Sequence, residues 1–217
     1  MMKEKEYKMP AEEPQVIEEP FVMFGTLELD PSKRYTYADY LTWIDDKRRE
    51  LIDGFIHLMS APLSVHAQVS MELSVIFSNF LKKHNGKCRV FHAPFDVRLP
   101  LKGCREDHKI YDVVQPDVCV VCDLTKIDKR GCIGAPDLVV EVLSPSTLKY
   151  DWNYKYNLYE AAGVREYWIV DPSAKSVHVF LLQPDGKYNL GDTYESTDVA
   201  PVSVLQGLEI QVGELFE

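Results

Sequence analysis

The chain predicts one α/β (α+β) domain: a central mixed β-sheet flanked by helices, with extra β-hairpins. Three observations lead there. Four runs rich in β-formers, "CRVFHAPFDVRL", "VVQPDVCVVCD", "GAPDLVVEVLS" and "REYWIVD", are bounded by Gly, Pro or polar residues. Two other segments repeat their apolar residues at helical spacing. The length of 217 residues, with 46% hydrophobic and 27% charged, suits a single soluble core.

Taken in order, residues 1–34 are Pro- and Glu-rich with little periodicity and predict a flexible acidic arm; residues 35–217 form the domain. Thr36 is placed to cap a helix over "YADYLTWIDDKR", with Tyr37, Tyr40, Leu41 and Ile44 on one side. Asp53-Gly54 between two short apolar runs predicts a hairpin. Val65, Val69, Leu73, Ile76, Phe77 and Phe80 predict a long helix ending near Gly86. The three strand runs from Cys88 to Ser144 follow. "KYDWNYKYNLYEAAG" predicts a second helix, stopped by Gly163. "REYWIVD" is a further core strand, and "SVHVFLLQPDGKYNL" a hairpin around a Gly-containing turn. Residues 200–217 are short strand or turn.

Charge narrows the function classes. The net charge is −10, and half of it falls in residues 1–30, with eight acids and three bases. No basic stripe announces tight, non-specific nucleic-acid binding. Apolar stretches are interrupted by charge well before the ~18 residues of a membrane span, and the N-terminus lacks the apolar run of a signal peptide, so a cytoplasmic, non-membrane protein is expected. Five cysteines, Cys88, Cys104, Cys119, Cys122 and Cys132, in such a chain predict free thiols. Cys119 and Cys122 lie in a strand pattern, where positions three apart face opposite ways; no second pair at zinc spacing follows.

Glu141 carries the chemistry. It interrupts the apolar run "DLVVEVL", and an ionised carboxylate there costs several kcal/mol unless something pairs with it. If the strands holding Asp117 and Glu141 are neighbours joined by the loop between them, they run antiparallel, and the two carboxylates meet at one sheet edge. Such a pair repels and calls for a cation; Mg²⁺ or Mn²⁺ suits all-oxygen ligands. Asp137 is the poorer partner, because four residues of strand separate it from Glu141 by roughly 13 Å. Lys155 follows Asp151 by four positions on the next helix, with Tyr159 continuing that face. An acid–acid–lysine group suits metal-assisted phosphodiester hydrolysis.

On "ELIDG", "P-x-x-x-H", "QPDVCVV", "GAPDLVVEVLSPST", "D-x-x-x-K-x-x-x-Y" and "AGVREYWIVDP", the chain resembles the Uma2 family of restriction-endonuclease-like proteins, within the PD-(D/E)xK nuclease superfamily. The resemblance covers roughly residues 35 to 210. It implies a restriction-endonuclease-like core, a Mg²⁺ site and cleavage of DNA. Asp117 matches the first motif acid and Glu141 the second. The motif's lysine position is Leu143, and Lys155 matches the lysine that Uma2-like sequences carry on the following helix. Glu50 matches a further family acid, and His66 a residue lining the cleft.

Plainer roles stand beside these. Glu141 suits a structural ion pair, Asp117 a strand entry, Lys155 a solvated helix face, and Asp151 a helix N-terminal charge or a support for Lys155. His66 suits a polar filler, and Glu50 a partner for Arg48 or Arg49. The leading function is a Mg²⁺-dependent endodeoxyribonuclease. Its rival is a nuclease-like scaffold kept as a binding or interaction module, favoured by Leu143 and the acidic charge. A smaller phosphoester is a third substrate class; neither a Walker loop nor a serine nucleophile elbow is present. A homodimer is expected, because cutting both strands commonly uses two sites related by a two-fold axis.

Overall fold

The computed structural model describes residues 29–101, 103–144 and 151–217. The arm predicted over residues 1–34 lies outside the described residues up to residue 28.

Fourteen short strands surround three helices among the described residues. Thr36 accepts from the Asp39 amide and Asp39 reciprocates, a capping box that starts α1 (Tyr37–Tyr40). The helix stops after one turn, shorter than predicted. Its aromatics account for this: Tyr37, Tyr40 and Trp43 pack on one another while Leu41 and Ile44 stay in solvent. β1 (Arg49–Ile52) and β2 (Phe55–Leu58) form the predicted hairpin, with Asp53 at φ 50° and Gly54 at φ 80°. Two successive left-handed residues match the strand twist, which is why Asp-Gly sits there. α2 (Ser64–Lys83) buries Val69, Leu73, Phe77 and Leu81. That i, i+4 stripe removes one row of side chains from water, each worth roughly 1.5–3 kcal/mol. Val65 is exposed, unlike the prediction.

Two predicted strands are each cut in two by proline, which cannot donate to a ladder. "CRVFHAPFDVRL" becomes β3 (Arg89–His92) and β4 (Val97–Arg98), and "VVQPDVCVVCD" becomes β5 (Val113–Val114) and β6 (Val118–Val121). The halves enter different sheets. The remaining strands are β7 (Ile127–Asp128), β8 (Gly131–Ile133), β9 (Leu138–Val142), β10 (Glu166–Asp171), β11 (Ser176–Leu181), β12 (Asp192–Glu195), β13 (Val199–Val202) and β14 (Leu208–Gln211). One six-stranded sheet runs β12-β11-β10-β9-β6-β3, and a second runs β2-β1-β5-β4-β8-β7. The first is mixed: β9 and β10 are parallel, its other pairs antiparallel. The hairpins expected outside the core are thus partly assembled into a sheet of their own. The return strand predicted at "KYNL" supplies only a bridge from Tyr188 to Leu182, and β12 takes its place beside β11.

The mixed sheet separates two cores. On one face lie α2 and the β13–β14 hairpin, packed on Val118, Val140 and Trp168. On the other lie Cys119, Val139 and Tyr167, with Leu158 and Tyr159 of α3 (Tyr156–Ala162) and residues of the second sheet. Gly163, at φ 85°, ends α3 in the left-handed conformation.

The prediction of five free thiols is corrected. Cys119 and Cys122 do point to opposite cores, but Cys122 is bonded to Cys88. The β3–β6 register, Arg89 opposite Val121, brings the two residues just beyond that pair together. Cys104, Cys119 and Cys132 remain thiols. No described helix is long and apolar enough to cross a membrane.

Candidate active site

Strand β6 and strand β9 are antiparallel with Val118 opposite Val140. One step further, the same register sets Asp117 against Glu141. Glu141 faces the side of the sheet that carries α3, where Lys155 and Tyr159 reach it, while Asp117, just before β6, turns at the sheet end towards α2. Both line a cleft of about 900 Å³ together with Glu50, Lys155 and His66.

The two "PD" dipeptides turn out to be the two ends of one device. In the β6–β9 register Pro116 stands opposite Val142, and Pro136 opposite Cys122. Asp117 Oδ2 accepts from the Val142 amide at 2.8 Å, and Asp137 Oδ2 from the Cys122 amide at 2.7 Å. Each aspartate closes the ladder its proline breaks off. The ends then differ. Asp137 pairs with Arg165 at 3.0 Å, away from Glu141. Asp117 instead meets His66 Nε2 at 3.0 Å, in the first turn of α2, and faces the cleft.

Glu141 is buried, and its charge is met from the helix side. Lys155 Nζ donates to Glu141 Oε1 at 2.9 Å, and the Tyr159 hydroxyl donates to the same oxygen at 2.6 Å. Lys155 and Tyr159 are four residues apart and lie on one side of the helix. Lys155 ends a π-helical turn (Asp151–Lys155) that leads into α3. Such widened turns recur at functional sites. Burial, then the charges of Glu141 and Glu50, raise the Tyr159 phenol well above its usual range. It therefore stays protonated and acts as a donor. The side chain of Asp151 lies outside what is described.

Glu50 enters from the second sheet. Its Oε1 lies 3.1 Å from Lys155 Nζ and accepts from the buried Gln115 amide at 2.8 Å. The alternative pairing with Arg48 or Arg49 is not seen. Arg49 is bound to Asp45, and Arg48 donates twice to the Gln115 side chain. Lys155 thus ties the two sheets together through two acids. Three carboxylates (−3) and one ammonium (+1) give Glu50, Asp117, Glu141 and Lys155 a formal charge of −2 at the cleft floor. Leu143, two residues beyond Glu141, is buried in the same cluster as Leu158 and Tyr159. The amine reaches Glu141 across the helix–sheet gap while a leucine fills the strand position.

Residues 37–213 match the model of the Uma2 family, described as "Putative restriction endonuclease". The chain belongs to the Uma2 family. An uncharacterized Synechocystis protein, slr1290, is 29% identical over 171 residues, 77% of this chain and 84% of that one. The crystal structure of a "putative nuclease belonging to DUF820" from Anabaena variabilis superposes with a TM-score of 0.66 at 20% identity. The match covers 83% of this chain and 97% of the other, so the Uma2 chain has the restriction-endonuclease-like fold.

Two residues at or beside this Uma2 cleft, His57 and Gln115, carry no signal in the sequence. His57 is paired with Glu50 across the β1–β2 hairpin and lines the pocket. Burial lowers its pKa; Glu50 opposes that shift and Lys155 adds to it. The alternation in "FIHL" puts His57 on the face of Phe55, opposite Ile56, and only the partner strand shows that Glu50 shares it. Gln115, beside Pro116, holds Glu50, Arg48 and Asp96 at once. Tyr159, expected on the Lys155 face, also donates to Glu141, a role its spacing alone does not reveal. Among the described residues no three of His, Cys, Asp and Glu converge as a ready-made metal cage.

Proposed function

We propose that this Uma2 protein is a metal-dependent endonuclease that hydrolyses DNA phosphodiester bonds at Glu50, Asp117, Glu141 and Lys155. The single observation that carries the reading is the lysine ammonium shared by Glu141 and Glu50 on the floor of an open cleft, beside Asp117. The family description and the nuclease-like neighbour support the same class of chemistry.

The donor set fits a hard divalent cation. Asp117 and Glu141 offer carboxylate oxygens at the ends of adjacent strands, and Mg²⁺ is usually held by one or two carboxylates plus water and substrate phosphate rather than by a full protein cage. When bound, the ion would polarise the scissile phosphate and acidify a water. The protein's own groups do the rest. Asp117 is held in place by the Val142 amide and His66, and Glu141 by Tyr159 and Lys155. The Lys155 ammonium offsets negative charge developing on the phosphate oxygens. Buried carboxylates with a formal excess over their lysine attract a cation to the same place.

The test is plasmid nicking with Mn²⁺, run beside Lys155→Ala and a double Asp117→Asn, Glu141→Gln variant. Nicking lost in both variants, with calorimetric Mn²⁺ binding lost in the double variant, is the expected result. Nicking that persists equally in Lys155→Ala would sink the assignment. A second reading, a nuclease-like scaffold used as a binding module, is favoured by one observation: Leu143 is sealed into the core where the superfamily motif has its lysine.

A further inference from the structure

The geometry points to a single-stranded DNA segment, rather than a duplex, as the occupant of this cleft; the inference rests on the nuclease reading and names its substrate class. The cleft has two unlike sides. Its floor is the acid–lysine group, whereas Met59, Leu63 and Met71 form an apolar wall along the loop into α2 and the helix itself. Leu63 and Met71 are 56% and 57% exposed. A B-form duplex offers a cleft a charged rod, with its base faces stacked inside, so apolar side chains find little there beyond thymine methyl groups. Unpaired bases do present apolar faces, and stacking on side chains accepts any of the four.

The polar groups extend in one direction. A shallower groove of about 260 Å³ lies between α2 and β3, lined by Ser74, Ser78, Asn79 and Lys82. His92 lines both this groove and the cleft, so the two adjoin at that side chain. His92 Nδ1 lies 2.8 Å from the Ala93 carbonyl. A carbonyl only accepts, so Nδ1 carries the proton and the ring is held, its face available to a base. From His66 to Lys82 the helix rises ~24 Å at 1.5 Å per residue, the length of a short oligonucleotide. Phosphates would follow Lys82 and the hydroxyl and amide groups of α2. Bases would turn towards His92 and the methionine wall, and the scissile phosphate would reach Lys155.

The charge pattern agrees. The described cations that line the two cavities are Arg48, Lys155 and Lys82. Tight sequence-independent binding to a duplex takes many phosphate contacts, with a slope of about −0.9 in log K against log salt for each. So sparse a set suits a ligand held largely by its bases.

The test is fluorescence anisotropy on the full chain, in EDTA, with a labelled oligothymidylate and a duplex of equal length. Tighter binding of the single strand is expected. Met71→Asp should weaken it on the order of fivefold, and Lys82→Glu should reduce its salt slope by about 0.7. Both positions are on the outer face of α2, away from the acid floor. Equal or tighter duplex binding, no binding of the single strand, or indifference to both substitutions would overturn the inference. A Mn²⁺ cleavage assay on the same two DNAs separates this result from the nuclease reading. Selective single-strand binding with neither DNA cut supports the occupant and removes the hydrolase; preferential cutting of the duplex does the reverse.

Discussion

Glu50 and Glu141, on different sheets, share one ammonium: Lys155 Nζ lies 3.1 Å from the first and 2.9 Å from the second. All three side chains are buried. Removing one partner from such a group leaves uncompensated buried charge. Lys155→Met should therefore cost about 3–5 kcal/mol in urea unfolding. Adding Glu141→Gln to it should restore part of that loss. A single variant as stable as wild type would mean that the ammonium is not the cement between the sheets.

Tyr159 supplies a second, separable contribution. Tyr159→Phe deletes the hydroxyl that donates to Glu141 and leaves the ring packed beside Tyr167. A hydrogen bond to a charged group is worth about 1.5–3 kcal/mol. The expected loss lies in that range, with the circular dichroism spectrum unchanged. A neutral substitution would show that the carboxylate is satisfied without it.

His57 gives a pH signature. Its pKa is lowered below the ordinary 6.5, first by burial and then by Lys155, against the pull of Glu50. A histidine with a depressed folded pKa favours the folded state above pH 6.5, and that stability is lost as pH falls through the folded value. NMR titration should place the His57 midpoint below 6.5. Lys155→Met should move it up and Glu50→Gln down. His57→Gln should reduce the acid-side loss of stability, and the part due to His178, also lowered by burial, should remain. A His57 midpoint at or above 6.5 contradicts this environment.

How much of this was legible beforehand divides along physical lines. The Asp117–Glu141 juxtaposition follows once the two strands are taken as antiparallel neighbours, because such a pair brings one start to the other's end. The Asp-Gly hairpin and the long helix followed from local chemistry. What failed was non-local. Pro94 and Pro116 divert the chain between sheets, and a run of β-formers does not say which sheet takes each half. α1 ends earlier than its spacing predicts, because Leu41 and Ile44 keep helical spacing without burying anything. Glu50 was placed through family resemblance, and its partner was invisible because Lys155 reaches it from a π-helical turn far along the chain. His57 and Gln115 carry no motif and are recognisable only once Glu50 has its neighbours.

The Cys88–Cys122 bond was missed because two cysteines count for little without the strand register. Under denaturing conditions without reductant, a thiol reagent should titrate three cysteines, Cys104, Cys119 and Cys132. Closing a loop with a sequence separation of 34 is worth up to ~4 kcal/mol in the chain-entropy account, so Cys88→Ser should lower stability by no more than that. Five reactive thiols in the untreated protein would exclude the bond.

The most direct measurement is crystallographic: a Mn²⁺ soak with the anomalous signal mapped onto the cleft. A peak beside the carboxylates of Asp117 and Glu141, absent from the Asp117→Asn, Glu141→Gln crystal, is the result the metal-dependent hydrolase reading predicts. A map with no peak there, or with one only at surface acids elsewhere, would contradict it and leave the fold as a binding scaffold.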